Sequence, residues 1–175
     1  MSKGTLPQLA DARKLATSAA LFEGDIALEQ LPRVCEVLAD CAGVVTYRLL
    51  FGFDDEGYLT IEGRMSATVS LFCERCLQAM PQPIESTFTL AVVASDEQAN
   101  QLPERYEPLV LVDGIVNAAT IIEDEVLLCL PIVALHSERE CARQKGFTTQ
   151  DSGYERAANA AKVNPFDALG VLKKK

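Results

Sequence analysis

The stretch that decides the fold is Tyr58-LTIEGRMSATVSLFCER-Cys76. Apolar side chains occupy nearly every second position from Leu59 to Leu71, and polar side chains occupy most positions between them. A period of two residues places successive side chains on opposite faces of a β-strand, with one face buried and the other in contact with water. The stretch therefore predicts a long strand that runs directly into Cys73-Glu-Arg-Cys76, the one Cys-x-x-Cys sequence of the chain.

Two more alternating segments surround this strand. Val45 to Phe53 alternates in the same way, and the polar run Asp54-Asp-Glu-Gly57 after it is typical of a hairpin turn. Residues 44–72 are therefore expected to form one long antiparallel hairpin. Pro81-Gln-Pro83 is expected to close the segment after the cysteines, and residues 83–93 then alternate again as a third strand. This pattern predicts an antiparallel meander with the cysteines at the turn between its second and third strands.

A helix is expected near residues 117–130, with Asn117 as its N-cap. Apolar side chains that include Leu128 recur along one face, so the helix is expected to pack across the apolar face of the sheet. The predicted fold class is α+β. It is an antiparallel β-meander, made of the long hairpin 44–72 and the strand 83–93, packed by this helix and followed by a flexible C-terminal tail.

Length and composition suit one domain with a tail. The chain has 175 residues, of which 49% are hydrophobic, and this is enough to build a core without disulfides or metals. We expect a single α+β domain over residues 1–141. Residues 142–161 are rich in Gln, Thr, Ser, Gly and Ala and predict a flexible linker. Residues 162–175 combine a few apolar side chains with three final lysines, which indicates either a basic docking peptide or a frayed terminus.

The sequence shows no membrane or secretion signal. No apolar run approaches the roughly 20 residues that span a bilayer, and the N-terminus has no charged start followed by an apolar segment. We therefore expect a cytoplasmic protein with no membrane partner. Its six cysteines are then expected to be mostly reduced thiols.

The charge of the chain argues against a broad nucleic-acid interface. Twenty-five acidic residues against sixteen basic ones give a net charge of −9, whereas binding to phosphates needs basic surface. The acidic residues concentrate between residues 91 and 140, and basic residues exceed acidic ones after residue 150. This distribution predicts an acidic protein that binds a protein partner, or that contacts RNA locally through its tail.

Two groups of charged residues are candidates for partner binding. The first is Glu123, Asp124 and Glu125 in the middle of the predicted helix, and the second is Lys173, Lys174 and Lys175 at the C-terminus. The acidic trio could instead supply catalytic or metal-binding carboxylates. Consecutive helical residues do not face one another, however, so the three carboxylates cannot all converge. A solvated face or a contact with a basic partner is therefore favoured.

Cys73 and Cys76 allow three interpretations. A redox pair usually begins a helix in a βαβ unit, whereas this pair is expected in a β-turn. A structural zinc site needs about four nitrogen or sulfur ligands, and His136 and Cys141 are the best remaining candidates, which gives the set Cys73, Cys76, His136 and Cys141. The third interpretation is small, partly buried residues at a tight turn. The other cysteines, at positions 35, 41 and 129, lie in apolar surroundings and are expected to be packing residues.

Nothing in the sequence indicates a catalytic site. The chain has one histidine, no Gly-x-Ser-x-Gly sequence and no glycine-rich phosphate loop. We therefore expect no catalytic residues and no enzymatic activity.

A set of short motifs follows the order found in a known family. The motifs are Cys73-Glu-Arg-Cys-Leu77, Asp96-Glu-Gln-Ala99, Leu102-Pro-Glu104, Tyr106-Glu-Pro108, Glu123-Asp-Glu125 before Leu127-Leu128, Leu130-Pro-Ile-Val133, His136 before a cysteine, and Asn164-Pro-Phe166 with Leu169 and the final lysines. Together they resemble the bacterial YceD family, the large ribosomal RNA subunit accumulation proteins, from about Leu21 to Lys175. The resemblance implies a cytosolic, non-enzymatic protein needed for 23S ribosomal RNA, with no catalytic residues to carry over. Some relatives carry more cysteines after the helix, which would complete a zinc site, whereas this chain has only His136 and Cys141 there.

The leading functional hypothesis is a ribosome-biogenesis factor. It would support the synthesis, processing or stability of 23S rRNA, and so the accumulation of the large subunit, through a ribosomal protein or a large-subunit assembly factor. Weak contact with 23S rRNA would come from the C-terminal tail. The alternatives are a small zinc-binding adaptor or regulatory module unrelated to RNA, and a thiol redox protein.

Overall fold

The computed structural model describes residues 9–137 and 139–141. The chain divides into two compact units, Met1–Ser137 and Glu138–Lys175. The predicted linker 142–161 and the predicted docking peptide 162–175 lie outside the described residues. The strands and helices of the first unit are β1 (Ala10–Asp11), α1 (Ala12–Thr17), β2 (Leu21–Ala27), α2 (Pro32–Cys35), β3 (Val44–Phe53), β4 (Leu59–Phe72), β5 (Ala79–Val93), α3 (Asp96–Ala99), β6 (Glu107–Val110), β7 (Ile115–Val116) and α4 (Ala118–Cys129).

A five-stranded sheet forms the centre of the first unit, in the order β2-β3-β4-β5-β6. The pairs from β2 to β5 are antiparallel, which confirms the predicted meander, and β4 is the central strand. The edge strand β6 pairs with β5 in parallel. Short strands β1 and β7 form a separate antiparallel pair. The α+β fold class is therefore confirmed.

The predicted hairpin of residues 44–72 is confirmed by the register of β3 and β4, which pairs Val45 with Ala67 and Phe53 with Leu59. The turn depends on Asp54, whose Oδ1 accepts hydrogen bonds from the backbone N–H groups of Glu56 (3.0 Å) and Tyr58 (2.8 Å). Gly57 has a φ of 88°, a left-handed conformation that favours glycine. The acidic run before this glycine therefore helps to form the turn, because its first side chain accepts the hydrogen bonds of the turn backbone.

The strand β5 begins earlier than predicted. It starts at Ala79, and Pro81 and Pro83, which were expected to close a turn, lie inside it opposite Ser70 and Thr68 of β4. Along this part β5 has β4 as its one paired neighbour among the described strands, because β6 pairs with Leu90–Val93. A strand with one neighbour can hold prolines at positions whose N–H groups are not needed for pairing. The prolines therefore lie in the part of β5 that pairs with β4 alone among the described strands.

The core lies on one face of the sheet, beneath the helices. Helix α1 packs on β3 and β4, and α4 packs on β5 and α2. The largest fully buried side chains are Phe51, Leu28, Leu31, Leu49, Ile61, Met65, Ile122, Val34, Val45, Val69, Val116 and Val126. The opposite face carries exposed polar residues such as Glu62, Arg64 and Ser66 of β4, as the alternation in the sequence predicted.

The predicted helix near residues 117–130 is confirmed as α4. The Asn117 side chain caps it by accepting a hydrogen bond from the Ala119 N–H group at 3.1 Å. Ile121, Ile122 and Val126 are buried against the sheet and its neighbours, but Leu128 is 75% exposed, so its predicted place on the packed face is wrong. None of the helices among the described residues is long and apolar enough to cross a membrane.

Cys35 and Cys41 form a disulfide, with their Cα atoms 5.4 Å apart. The expectation that these two residues act as packing thiols is therefore wrong. The turn after α2 brings together two cysteines that are six positions apart in the chain. Their apolar neighbours in the sequence gave no sign of this pairing.

Candidate functional site

The Cys-x-x-Cys sequence lies in the turn between β4 and β5, as predicted. The Cys73 N–H donates to the Gln78 carbonyl oxygen at 2.9 Å, and the Leu77 N–H donates to the Cys73 carbonyl oxygen at 2.8 Å. Leu77 has a φ of 58°, which is uncommon for a residue with a side chain. We name residues 73–78 the cysteine turn; the paired ends of β4 and β5 hold it.

The segment that follows α4 brings His136 to the cysteine turn. The Glu74 N–H donates to the Ala134 carbonyl oxygen at 2.9 Å, and the His136 N–H donates to Cys73 Sγ at 3.4 Å. His136 Nδ1 lies 3.3 Å from Cys76 Sγ. The candidate ligand atoms of Cys73, Cys76 and His136 all lie within 4.8 Å of one another. The structure therefore brings together three of the four residues predicted as metal ligands.

The surroundings of these three residues suit a metal. Cys73 and Cys76 are fully buried and His136 is half-buried. Burial raises the pKa of the Cys73 thiol, but hydrogen bonds from the backbone of His136, Cys76 and Arg75 oppose it, and the pKa falls to about 5. Cys73 is then a thiolate at neutral pH, and the thiolate is the form of cysteine that binds metals. Two sulfurs and one imidazole match the ligand preference of zinc.

Cys141, the fourth predicted ligand, belongs to the second unit, Glu138–Lys175. Residues 139–141 of that unit are helical. Cys141 follows His136 by five positions in the sequence, a length of chain that spans at most about 18 Å. Its part in a ligand set stays a prediction.

The acidic trio of α4 is not the solvated face that the sequence predicted. Glu123 and Glu125 are each 6% exposed, and Asp124 is half-exposed. Arg33 binds two of the three: its backbone N–H donates to Glu123 Oε1 at 2.7 Å, its Nε donates to Glu123 Oε2 at 2.8 Å, and its Nη2 donates to Asp124 Oδ1 at 2.6 Å. The expected exposure is therefore wrong for Glu123 and Glu125. A role of the trio in partner binding stays a prediction.

Glu125 points to a different part of the core. The Ser86 hydroxyl donates to Glu125 Oε2 at 3.1 Å. Burial raises the pKa of Glu125, the Ser86 hydrogen bond lowers it, and the charges of Glu107 and Asp124 raise it further. The carboxyl is therefore held in surroundings that disfavour its charged form.

Arginine side chains elsewhere in the first unit are also neutralised by carboxylates. Arg48 pairs with Glu23 at 2.9 Å across β3 and β2. Arg64 of β4 pairs with Glu85 of β5 at 2.5 Å. Arg105 binds Glu56 of the β3–β4 turn, also at 2.5 Å. The basic groups of the sheet therefore offer little uncompensated positive surface.

Comparison with known proteins identifies the family. A family described as "Large ribosomal RNA subunit accumulation protein YceD" matches residues 61–173 of the chain. A curated protein of that name from Haemophilus influenzae is 33% identical over 176 residues, which cover 100% of both chains. The chain belongs to the YceD family. No solved structure matches it.

The YceD match contains the cysteine turn, α4 and His136, since it begins inside β4 and ends near the C-terminus. It also contains Lys173, while Lys173, Lys174 and Lys175 all lie outside the described residues. Sequence reasoning found Cys73, Cys76 and His136 from their residue types. It missed Arg33 as the partner of Glu123 and Asp124, because Arg33 lies 90 positions before Glu123 and no local pattern joins them.

Proposed function

We propose that this YceD-family protein supports accumulation of the large ribosomal RNA subunit as a non-enzymatic cytoplasmic factor. It would act on the synthesis, processing or stability of 23S rRNA through contacts with a ribosomal protein or a large-subunit assembly factor. The family, which bears this role in its name, supports the link to the large subunit. Membership of this family also speaks against a zinc adaptor unrelated to RNA.

The observation that carries the protein-contact mechanism is the pairing of the arginines. Arg33, Arg48, Arg64 and Arg105 each bind a carboxylate, and the whole chain has a net charge of −9. Affinity for RNA comes mainly from uncompensated basic groups that neutralise phosphates. A folded unit that has these four arginines paired, in a chain of net charge −9, is better suited to a basic protein partner than to RNA.

The charged residues divide between two roles in this proposal. Asp124 is the member of the acidic trio that reaches solvent, so it is the one that contacts the basic partner, while Glu123 and Glu125 hold α4 in place. Lys173, Lys174 and Lys175 supply the weak contact with 23S rRNA. Asp124 is assigned by its charge and exposure, and the three lysines by their charge.

We also propose a structural zinc ion at the cysteine turn. Cys73, Cys76 and His136 would hold it, with Cys141 as the fourth ligand on the strength of its position in the sequence. The ion would tie the segment after α4 to the end of the sheet, which is a structural role without a reaction. The Cys73–Cys76 pair lies in a β-turn rather than at the start of a helix, which favours metal over redox chemistry.

Metal analysis of the purified protein tests the zinc site. We expect about one zinc ion per chain, and loss of that ion in Cys73→Ser. Cys129→Ser is the matched control, because Cys129 is a half-buried thiol at the end of α4 and should leave the metal content unchanged. Wild-type protein that is purified without chelators and holds no zinc would contradict the proposal.

Ribosome profiles of cells that lack the gene test the proposed function. We expect a lower level of 23S rRNA and a lower ratio of large to small subunits, both restored by the wild-type gene. Unchanged 23S rRNA and an unchanged subunit ratio would contradict the proposal.

A further inference from the structure

A cavity of about 690 Å³ lies at the far end of β4 from the cysteine turn. Its walls come from five segments: the start of α1, the turn between β3 and β4 with the strand ends beside it, the end of β5, α3 with the residues directly after it, and Leu111, Asp113 and Gly114. Its volume falls within the range of about 300 to 1,000 Å³ that is usual for ligand sites. We name it the hairpin cavity, after the β3–β4 hairpin whose turn forms one wall.

The walls of the hairpin cavity combine aromatic, aliphatic and amide groups. Phe53 and Tyr58 contribute aromatic rings, and Phe53 is 44% exposed. Leu59 and Leu102 contribute aliphatic surface, and Gln101 contributes an amide. Such walls can cover the aliphatic stem of a lysine or arginine side chain, while an aromatic face attracts its cation.

The guanidinium of Arg105 already lies close to the aromatic residues beside this wall. The ring of Tyr58 lies 5.8 Å from that of Tyr106, measured between centroids. The Arg105 guanidinium lies 4.7 Å from the centroid of the Tyr106 ring. This end of the sheet therefore has surroundings in which an aromatic ring and a cation are stable together.

The charges that line the hairpin cavity favour a cation. Two carboxylates, Asp11 and Asp113, line it against one guanidinium, that of Arg13. Asp11 caps α1 and pairs with Lys14, whereas Asp113 makes no ion pair among the described residues. More carboxylates follow nearby in the chain, in the β3–β4 turn and at the start of α3. Asp113 is therefore the carboxylate of the cavity wall with which a basic side chain can pair, and the net charge of −9 of the whole chain attracts a basic segment.

We propose that the hairpin cavity binds a lysine- or arginine-bearing extended segment of a basic partner protein. The basic side chain would lie along Phe53 and Tyr58 with its charge near Asp113. This inference rests on the proposed function, because it adds to the Asp124 contact a second surface through which the acidic first unit meets its protein partner. It adds a site distinct from the cysteine turn and from α4.

Peptide binding to the full chain tests the site, with a fluorescein-labelled peptide of alternating lysine and alanine as the probe. We expect a rise in anisotropy with wild-type protein. Asp113→Asn should weaken binding about three- to fivefold, the size of one exposed ion pair, and asparagine tolerates the φ of 57° at this position. Ala94→Phe, at an exposed residue of the cavity wall, should fill the space and weaken binding about tenfold or more.

Glu36→Gln is the matched control, since it removes an exposed carboxylate outside the hairpin cavity and should leave the affinity unchanged. Circular dichroism shows whether each variant is folded. If Ala94→Phe is unfolded, the affinity of Asp113→Asn alone tests the site. Equal affinity in Asp113→Asn, Glu36→Gln and wild type would overturn the inference. Tighter binding of labelled oligouridylate, lost in the same variants, would also overturn it and assign the cavity to RNA.

Co-sedimentation with large-subunit precursors separates this inference from the proposed function. If wild-type protein co-sediments and Asp113→Asn or a folded Ala94→Phe does not, the cavity is the partner site. If wild type and both variants co-sediment equally, the inference fails while the proposed function stands. If wild type itself does not co-sediment, the proposed protein-contact mechanism fails first.

Discussion

At the scale of single residues, the contact of Arg33 with Glu123 joins α2 to α4 across 90 positions of the chain. The Glu123 side chain is 8% exposed, whereas that of Arg33 is 47% exposed. Removal of the arginine side chain leaves a buried carboxylate with one remaining donor, the backbone N–H of residue 33. Such a group is costly because it has lost water without keeping a charged partner. This contact explains why an acidic residue occupies the packed face of α4.

Arg33→Ala is therefore expected to lower the free energy of unfolding by about 2 to 3 kcal/mol. Urea denaturation at neutral pH measures the change. Arg48→Ala is the matched control, because the Arg48–Glu23 pair is exposed on both sides and should contribute less than about 1 kcal/mol. Equal losses in the two variants would show that burial of Glu123 does not set the cost.

Glu125 predicts a pH dependence of stability. Burial raises the pKa of Glu125 above 4.5, its ordinary value. A carboxyl whose folded pKa is raised contributes most to stability below its unfolded pKa, and this contribution is lost as the pH rises through the folded pKa. Glu125→Gln should therefore raise the melting temperature at pH 7, and the gain should shrink as the pH falls through the raised pKa of Glu125 and be absent below about 4.5.

Thermal unfolding followed by circular dichroism over this pH range checks the Glu125→Gln prediction. Glutamine keeps an oxygen that can accept the Ser86 hydrogen bond, so the comparison isolates the charge. A difference in melting temperature that does not change with pH would contradict it.

At the scale of elements, the packing of β4 on β5 depends on a glycine. Gly63 lies opposite Phe88 in the register, and a Cβ at residue 63 would lie 2.0 Å from the Phe88 ring. Phe88 is buried, so the ring has little room to move. Gly63→Ala should lower the free energy of unfolding by about 1 to 3 kcal/mol, the usual cost of overpacking. Chemical denaturation measures it.

Gly52→Ala in β3 is the control for this prediction, because nothing lies within 4 Å of a Cβ built there. That variant should be as stable as wild type or slightly more stable. The Phe88→Leu exchange should also reduce the penalty of Gly63→Ala when the two are combined. If the Gly63→Ala, Phe88→Leu double variant keeps the full loss of stability, the strain does not come from the contact with the Phe88 ring.

At the scale of the whole molecule, local sequence patterns predicted the main strands and the main helix. They did not predict the contacts between residues far apart in the chain. The alternation from Leu59 to Leu71 fixes one face of a strand, so it predicts β4 and, with the acidic turn, its pairing to β3. Asn117 predicts the start of α4 in the same local way. The parallel pairing of β6 with β5 could not be predicted from the pattern of apolar residues, because it depends on the path of the chain after α3.

The candidate sites also differ in whether residue types in the sequence could reveal them. Cys73, Cys76 and His136 could be grouped because few residue types bind zinc and the chain has few of them. The hairpin cavity could not be found from the sequence, since its walls come from five separate segments that only the fold brings together. The burial of Glu123 was missed for a related reason, because its partner Arg33 belongs to a distant helix.

We propose that the protein reaches the large subunit through protein contacts. The most direct measurement is co-sedimentation of the full chain with large-subunit precursors as the salt concentration rises from about 50 to about 200 mM, a range in which phosphate contacts weaken steeply. We predict that most of the bound protein remains at the higher salt, and that deletion of residues 162–175 reduces binding only modestly. A steep loss with salt, together with complete loss on deletion of residues 162–175, would contradict binding through protein contacts and would assign the binding to RNA.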